Sequence, residues 1–149
     1  MSWLLDTNML LRWVQSQHPL HALCGDAIRE IRRRHEELLV TPQNLIEFWN
    51  VATRPLDKNG FGYTAAWADA EVSRIERVFD LAPDTGAVYP QWRRLVSAHA
   101  VSGVKAHDAR LAAVMLAHGI THLLTLNPSD FARYDEITAV HPREVGTQP

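Results

Sequence analysis

Apolar positions along this chain fall into short runs that alternate with stretches of helical spacing. Trp3-Leu4-Leu5 reads as a buried strand ending at Asp6, and Asn8 is placed to cap a helix through Met9, Leu10, Leu11, Trp13 and Val14. His18-Pro19 breaks that helix, and a second spans about 20–36, with Leu23, Ala27, Ile28 and Ile31 on its apolar side. Leu38-Leu39-Val40 is a second strand. Thr41 caps the next helix, Pro42 takes its first position, and Leu45, Phe48, Trp49 and Ala52 form its apolar stripe. Residues 54–63 carry Pro55, Asn59, Gly60 and Gly62 and read as a loop. A helix opening near Thr64 places Ala68, Val72, Ile75 and Val78 for burial, and residues 79–82 form a third strand. Pro83-Asp84-Thr85 turns into a helix with Tyr89, Trp92, Leu95 and Val96. A strongly apolar helix over 107–118 ends at Gly119, residues 123–126 form a fourth strand, and residues 137–141 a fifth.

Short apolar strands alternating with helices imply an α/β fold whose parallel sheet is covered on both faces. Ligands of such sheets bind beyond the carboxyl ends of the strands, where strand order reverses. Asp6 ends the first strand, and Asn127 and Asp130 follow the fourth.

Bulk composition narrows the picture. The 149 residues, 46% hydrophobic and 21% charged, suit one domain over 1–142, followed by a tail over 143–149 expected to fray. Cys24 is the single cysteine, which excludes an internal disulfide and suits a reducing cytoplasm. No signal segment opens the sequence, and the longest stretch without Asp, Glu, Lys or Arg, 111–129, is broken by Gly119 and Pro128, so no membrane span is expected. A net charge of −2 gives no global attraction to nucleic acid. Binding of that kind must come from local cations: Arg29, Arg32, Arg33 and Arg34 on one helix, Arg54 with Lys58 on a loop, then Arg93, Arg94, Lys105 and Arg110.

Each candidate acid has a plain structural alternative. Asp6 and Asp108 sit where a carboxylate can cap a helix or favour its dipole. Glu47 lies mid-helix, off the apolar stripe, facing either a cleft or solvent. Asp130 lies in Asn127-Pro128-Ser129-Asp130-Phe131, where Asp and Ser are ordinary turn residues. Taken together they say more, because this topology can gather several carboxylates at one sheet edge. Clustered carboxylates repel, a hard cation relieves the repulsion, and an all-oxygen site suits Mg²⁺ or Mn²⁺ and the hydrolysis of phosphodiesters.

Three segments resemble the PIN-domain nucleases: "LLDTNMLL" at 4–11, "TPQNLIEFWNVATRP" at 41–55 and "HDARLAAVMLAHGITHLLTLNPSDF" at 107–131, in matching order across nearly the whole chain. The likeness is to compact stand-alone members, many of them VapC-type toxins. It implies a three-layer α/β/α fold with strand order 3-2-1-4-5. It further implies that Asp6, Glu47 and Asp108 ligate Mg²⁺ (or Mn²⁺) directly or through water, that single-stranded RNA is the substrate, and that the chain forms a homodimer blocked by a cognate antitoxin. Many members carry a fourth acid where this chain has Asn127, a neutral and weaker ligand, and Asp130 is placed to supply the missing charge. Thr7 and Thr125 are candidates to orient ligands or water, and Arg54, Lys58, Lys105 and Arg110 to hold the RNA backbone.

Remaining motifs add little. Pro19 disrupts His18-x-x-His21 as a metal pair, and no glycine-rich phosphate loop is present. The five tryptophans could stack bases, but most sit at core or interface spacing. The expected function is a metal-dependent endoribonuclease, the toxin of a toxin–antitoxin pair. A PIN-like module that binds RNA or protein without catalysis is the alternative. A receiver-type domain is disfavoured because Asp80 lies within the third strand rather than at its end.

Overall fold

The computed structural model describes residues 1–147. Its single sheet is all parallel, in the order β3-β2-β1-β4-β5. The strands are β1 (Ser2–Leu5), β2 (Glu37–Val40), β3 (Asp80–Leu81), β4 (His122–Leu124) and β5 (Thr138–Val140). The helices are α1 (Thr7–Val14), α2 (His21–Arg33), α3 (Pro42–Thr53), α4 (Ala65–Val78), α5 (Val88–Ala98) and α6 (Lys105–His118). Strand order 3-2-1-4-5 is the one expected; a receiver-type domain has order 2-1-3-4-5 and is excluded by it.

The central strand explains the three layers. Trp3, Leu4 and Leu5 are all fully buried, because β1 lies between β2 and β4 with helices on both sides. Side chains alternate across a strand. Trp3 and Leu5 therefore join a core with α1, α2, α3 and α4, while Leu4 joins one with α5 and α6. Leu124 and Leu123 of β4 divide the same way. Burial on both faces is why these strands read as apolar runs with no polar alternation.

Several boundaries differ from the sequence reading. The N-cap of α1 is Asp6, whose carboxylate accepts from Thr7 N, and not Asn8, which lies inside the helix. Helix α6 starts at Lys105, so Asp108 sits in its first turn rather than at its cap. The loop after α3 contains a 3-10 turn, Leu56–Lys58, closed against the helix end: a Cβ on Gly60 would stand 2.0 Å from the Arg54 carbonyl oxygen, so only glycine fits. Residues 143–147 of the tail expected to fray join Pro142 in a 3-10 turn, Pro142–Thr147, laid on α2. Val145 is buried there, and its carbonyl accepts from Arg34 Nη2 at 2.9 Å. The buried Val145 side chain and this bond anchor the turn to α2. Gln148 and Pro149 lie outside the described residues.

Candidate active site

Three segments far apart in the chain meet at the carboxyl edge of the sheet. Asp6 follows β1, and its amide donates to the Leu124 carbonyl at 2.9 Å, tying the end of β1 to the end of β4. Its carboxylate is held on both oxygens: Oδ1 accepts from Thr7 N at 2.8 Å, and Oδ2 accepts from Thr125 Oγ1 at 2.7 Å and Asn8 Nδ2 at 3.2 Å. The capping role and the cleft position thus coexist. Burial pushes the Asp6 carboxyl up to about 6; the bonds from Thr125 and Thr7 pull the other way, and the charges of Glu47 and Asp108 push it further up.

Glu47 is turned inward, although helical spacing left it between cleft and solvent. Its Oε2 accepts from Thr7 Oγ1 at 2.6 Å and its Oε1 from Gln43 Nε2 at 2.9 Å. Gln43 also donates to the His107 carbonyl at 2.8 Å, which fastens α3 to the turn of α6 that carries Asp108. Asn44, wholly buried, forms a capping box with Thr41 and donates Nδ2 to Thr7 Oγ1 at 3.1 Å. Asp108 is raised by burial first, then by Asp130 and Glu47, with Lys105 opposing. Lys105 bridges the last pair: its ammonium is 2.8 Å from Asp130 Oδ1 and 3.6 Å from Asp108 Oδ2.

The structure brings Asp6, Glu47, Asp108, Asp130, Thr7, Thr125, Lys105 and Arg110 into one linked region. Arg110 joins through Gln43, donating to its Oε1 at 3.0 Å. Asn127 is exposed, and its amide donates to Thr125 Oγ1 at 3.1 Å, while Asp130 is half-buried on Lys105. Arg54 and Lys58 are not brought in. Arg54 is seven residues beyond Glu47, roughly 10 Å along the α3 axis, and its Nη2 donates to the Asn59 carbonyl at 3.1 Å to brace the loop. Sequence reasoning missed Gln43 and Asn44 and gave Asn8 only a capping role. A signal for Gln43 was available: it precedes Glu47 by four residues, the spacing of one helical face.

Oxygen donors of this kind fit a hard divalent cation. No Lys or Arg side chain acts on Asp6 among the described residues, and Glu47 and Asp108 add to its negative charge. Among the described residues no three His, Cys, Asp or Glu side chains stand together closely enough to hold a metal ion by themselves. Glu47 is occupied by Thr7 and Gln43, and Asp108 leans on Lys105. A hard divalent cation could use such donors only if one or two carboxylates and water completed its shell.

Fold and site together define a three-layer α/β/α domain with an acidic cluster at the carboxyl edge of a parallel sheet. The model of the PIN domain matches residues 3–137, and the chain belongs to that family. Ribonuclease VapC7 of Mycobacterium tuberculosis is 28% identical over 142 residues, which is 95% of this chain and 92% of that protein. Solved structures share the fold at low identity. VapBC2 from Rickettsia felis, bound to a DNA fragment from its promoter, has a TM-score of 0.71 at 11% identity, covering 95% of this chain and 98% of that one. The sarcin-ricin-loop-cleaving toxin VapC20 of M. tuberculosis has 0.63 at 17%, covering 91% and 98%.

Proposed function

We propose that this chain is a metal-dependent endoribonuclease that hydrolyses phosphodiester bonds in single-stranded RNA, and that it is the toxin of a VapBC-type toxin–antitoxin pair. The observation that carries the reading is the convergence of Asp6, Glu47 and Asp108 from three elements onto one recessed cluster, with Asp6 destabilised as a bare carboxylate. Family membership and the ribonuclease relative support it.

Asp6 and Asp108 would hold Mg²⁺, for which Mn²⁺ can substitute, with Asp130 beside them. When bound, the ion polarises a phosphate oxygen and makes a water more acidic. The protein's own groups supply the rest. Glu47, held by Thr7 and Gln43, would accept the proton of an attacking water. Thr125 and Asn8 orient Asp6. Lys105 would supply positive charge beside the acids for the phosphate backbone; the charge of Arg110 is taken up by Asp84, so it leaves that set with Arg54 and Lys58.

The antitoxin and a second copy of the chain are the partners this reading requires. A groove of about 680 Å³ lined by Leu45, Ile46, Trp49, Val72 and Leu81, with Ile46 70% exposed, offers apolar surface suited to a protein partner. Among the described residues no helix is long and apolar enough to cross a membrane, and a cytoplasmic setting follows from an RNA substrate. Cleavage of single-stranded RNA with Mg²⁺ is the test. Parent activity lost in Asp6→Asn and Asp108→Asn is expected. RNA binding without cleavage by the parent would turn the reading to the non-catalytic module.

A further inference from the structure

Beside the acids, between α5 and α6, lies a second recess that the hydrolytic chemistry does not use. It is a cavity of about 360 Å³ lined by Asp84, Thr85, Val88, Tyr89, Trp92 and Arg110. That volume lies within the range of small-ligand sites, roughly 300–1,000 Å³. Asp84 stands just past the carboxyl end of β3, so the recess opens at the same sheet edge as Asp6.

Two hydrogen-bonded links tie it to the cluster. Trp92 Nε1 donates to the Ala106 carbonyl at 2.9 Å, two residues before Asp108. Arg110 Nη1 donates to Gln43 Oε1 at 3.0 Å, and Gln43 Nε2 donates to Glu47 Oε1 at 2.9 Å. The recess is thus joined by hydrogen bonds to Glu47 through Gln43 and to the turn of α6 that precedes Asp108.

Its lining is specific in kind. Tyr89 is 67% exposed and stacks on Trp92, ring centroids 5.9 Å apart at 28°. The two rings together offer an exposed aromatic surface on which a flat group can stack. The indole's one polar atom is already satisfied inside, so Trp92 presents an apolar face. At the rim, Arg110 Nη2 pairs with Asp84 Oδ2 at 3.0 Å, both half-exposed. The guanidinium keeps unused donors and the carboxylate an unused oxygen, so the pair offers both senses of hydrogen bond. Its net charge is zero and Asp84 repels anions, which argues against a phosphate in this recess and for an uncharged planar group.

We propose that this recess is a nucleobase subsite of the RNA substrate: one unstacked base packs on Tyr89 and Trp92 and presents its polar edge to Asp84 and Arg110. The proposal rests on the ribonuclease reading for its substrate. Stacking on an aromatic side chain is the usual way a protein holds an unpaired base, and it reads shape more than identity. The Asp84–Arg110 pair then adds preference among bases, acting apart from the cleavage chemistry.

The test is binding of a fluorescein-labelled single-stranded RNA to the full chain in EDTA, read by anisotropy, with the Mg²⁺-dependent cleavage of the same RNA measured alongside. Tyr89→Leu is expected to weaken binding about tenfold, and Tyr89→Phe to stay within about threefold of the parent. An abasic nucleotide moved along the RNA should produce the same loss at one position, and at that position alone Tyr89→Leu should add nothing further. Equal affinity of parent and Tyr89→Leu, or losses that add at every position, overturns the subsite. So does a Tyr89→Leu variant whose dimer dissociates in sedimentation while its RNA affinity per chain holds, because the ring would then belong to a contact between copies. A parent that binds RNA through Tyr89 but never cleaves it overturns the ribonuclease reading and leaves the subsite standing. A parent that binds no RNA overturns both.

Discussion

Thr7 Oγ1 donates a 2.6 Å hydrogen bond to Glu47 Oε2, joining the first turn of α1 to the middle of α3 across 40 residues of sequence. The same hydroxyl accepts from Asn44 Nδ2 at 3.1 Å, so its one proton goes to Glu47 and one of its lone pairs to Asn44. This bond holds Glu47 in the cluster rather than in solvent.

Thr7→Val removes the hydroxyl while keeping the shape. It strands the buried Asn44 amide and frees Glu47, and is expected to cost about 1–3 kcal/mol in urea unfolding and to lower cleavage at least tenfold, whereas Thr7→Ser should restore both. A Thr7→Val protein with parental rate would mean Glu47 needs no positioning.

Asp6 carries a pH signature. Its carboxyl rises from the usual 3.8 to about 6, chiefly through burial, so the folded protein holds this proton more tightly than the unfolded chain does. Stability from this group is therefore full below about pH 4 and is lost as pH climbs through about 6, a contribution of about 3 kcal/mol. In EDTA, Asp6→Asn is expected to be more stable than the parent at pH 7 and to match it near pH 4. Mg²⁺ binding at pH 6 should release protons, seen as a buffer-dependent calorimetric enthalpy. Lower stability of Asp6→Asn at pH 7 would place the main work of Asp6 in capping α1.

Lys105 sets the charge of the other half of the cluster. Asp130 first, then Asp108, hold its ammonium above the ordinary lysine range. Lys105→Ala should bind Mg²⁺ roughly two- to fivefold more tightly at low salt, since two carboxylates lose their counter-charge, and bind RNA more weakly. Unchanged Mg²⁺ affinity by calorimetry would separate Asp108 and Asp130 from the metal.

The C-terminal turn is part of the core. Val145→Ala is expected to lower stability by about 1–2 kcal/mol, because it empties a site 2% exposed against α2. An unchanged midpoint in thermal unfolding would show that this end of the chain frays as its sequence suggests.

Most of the architecture was legible in the sequence. Runs such as Trp3-Leu4-Leu5 and Leu38-Leu39-Val40 are short and apolar throughout, as strands covered on both faces are, and the helices between them carry their own stripes and caps, as at Thr41, Thr64 and Gly119. Strand order came from resemblance, since periodicity is local and does not rank neighbours. The ends of elements were less legible. Asp6 and Asn8 are equally good caps by residue type, and only the close approach of β4, which brings Thr125 and the Leu126 amide to them, assigns the first to capping and turns the second to bridging.

What the sequence determined by itself was a parallel α/β domain and the family its motifs resemble, and it named the acids proposed for the site. What the tertiary structure decided was their company. Glu47 faces inward because Thr7 and Gln43 reach it, Asp130 rather than exposed Asn127 meets Lys105, and Arg54 and Lys58 fall at the wrong end of α3. Spacing along one helix or strand is set by local geometry and can be read from the chain. A contact spanning 40 or 119 residues depends on how the layers pack, and no local pattern encodes it.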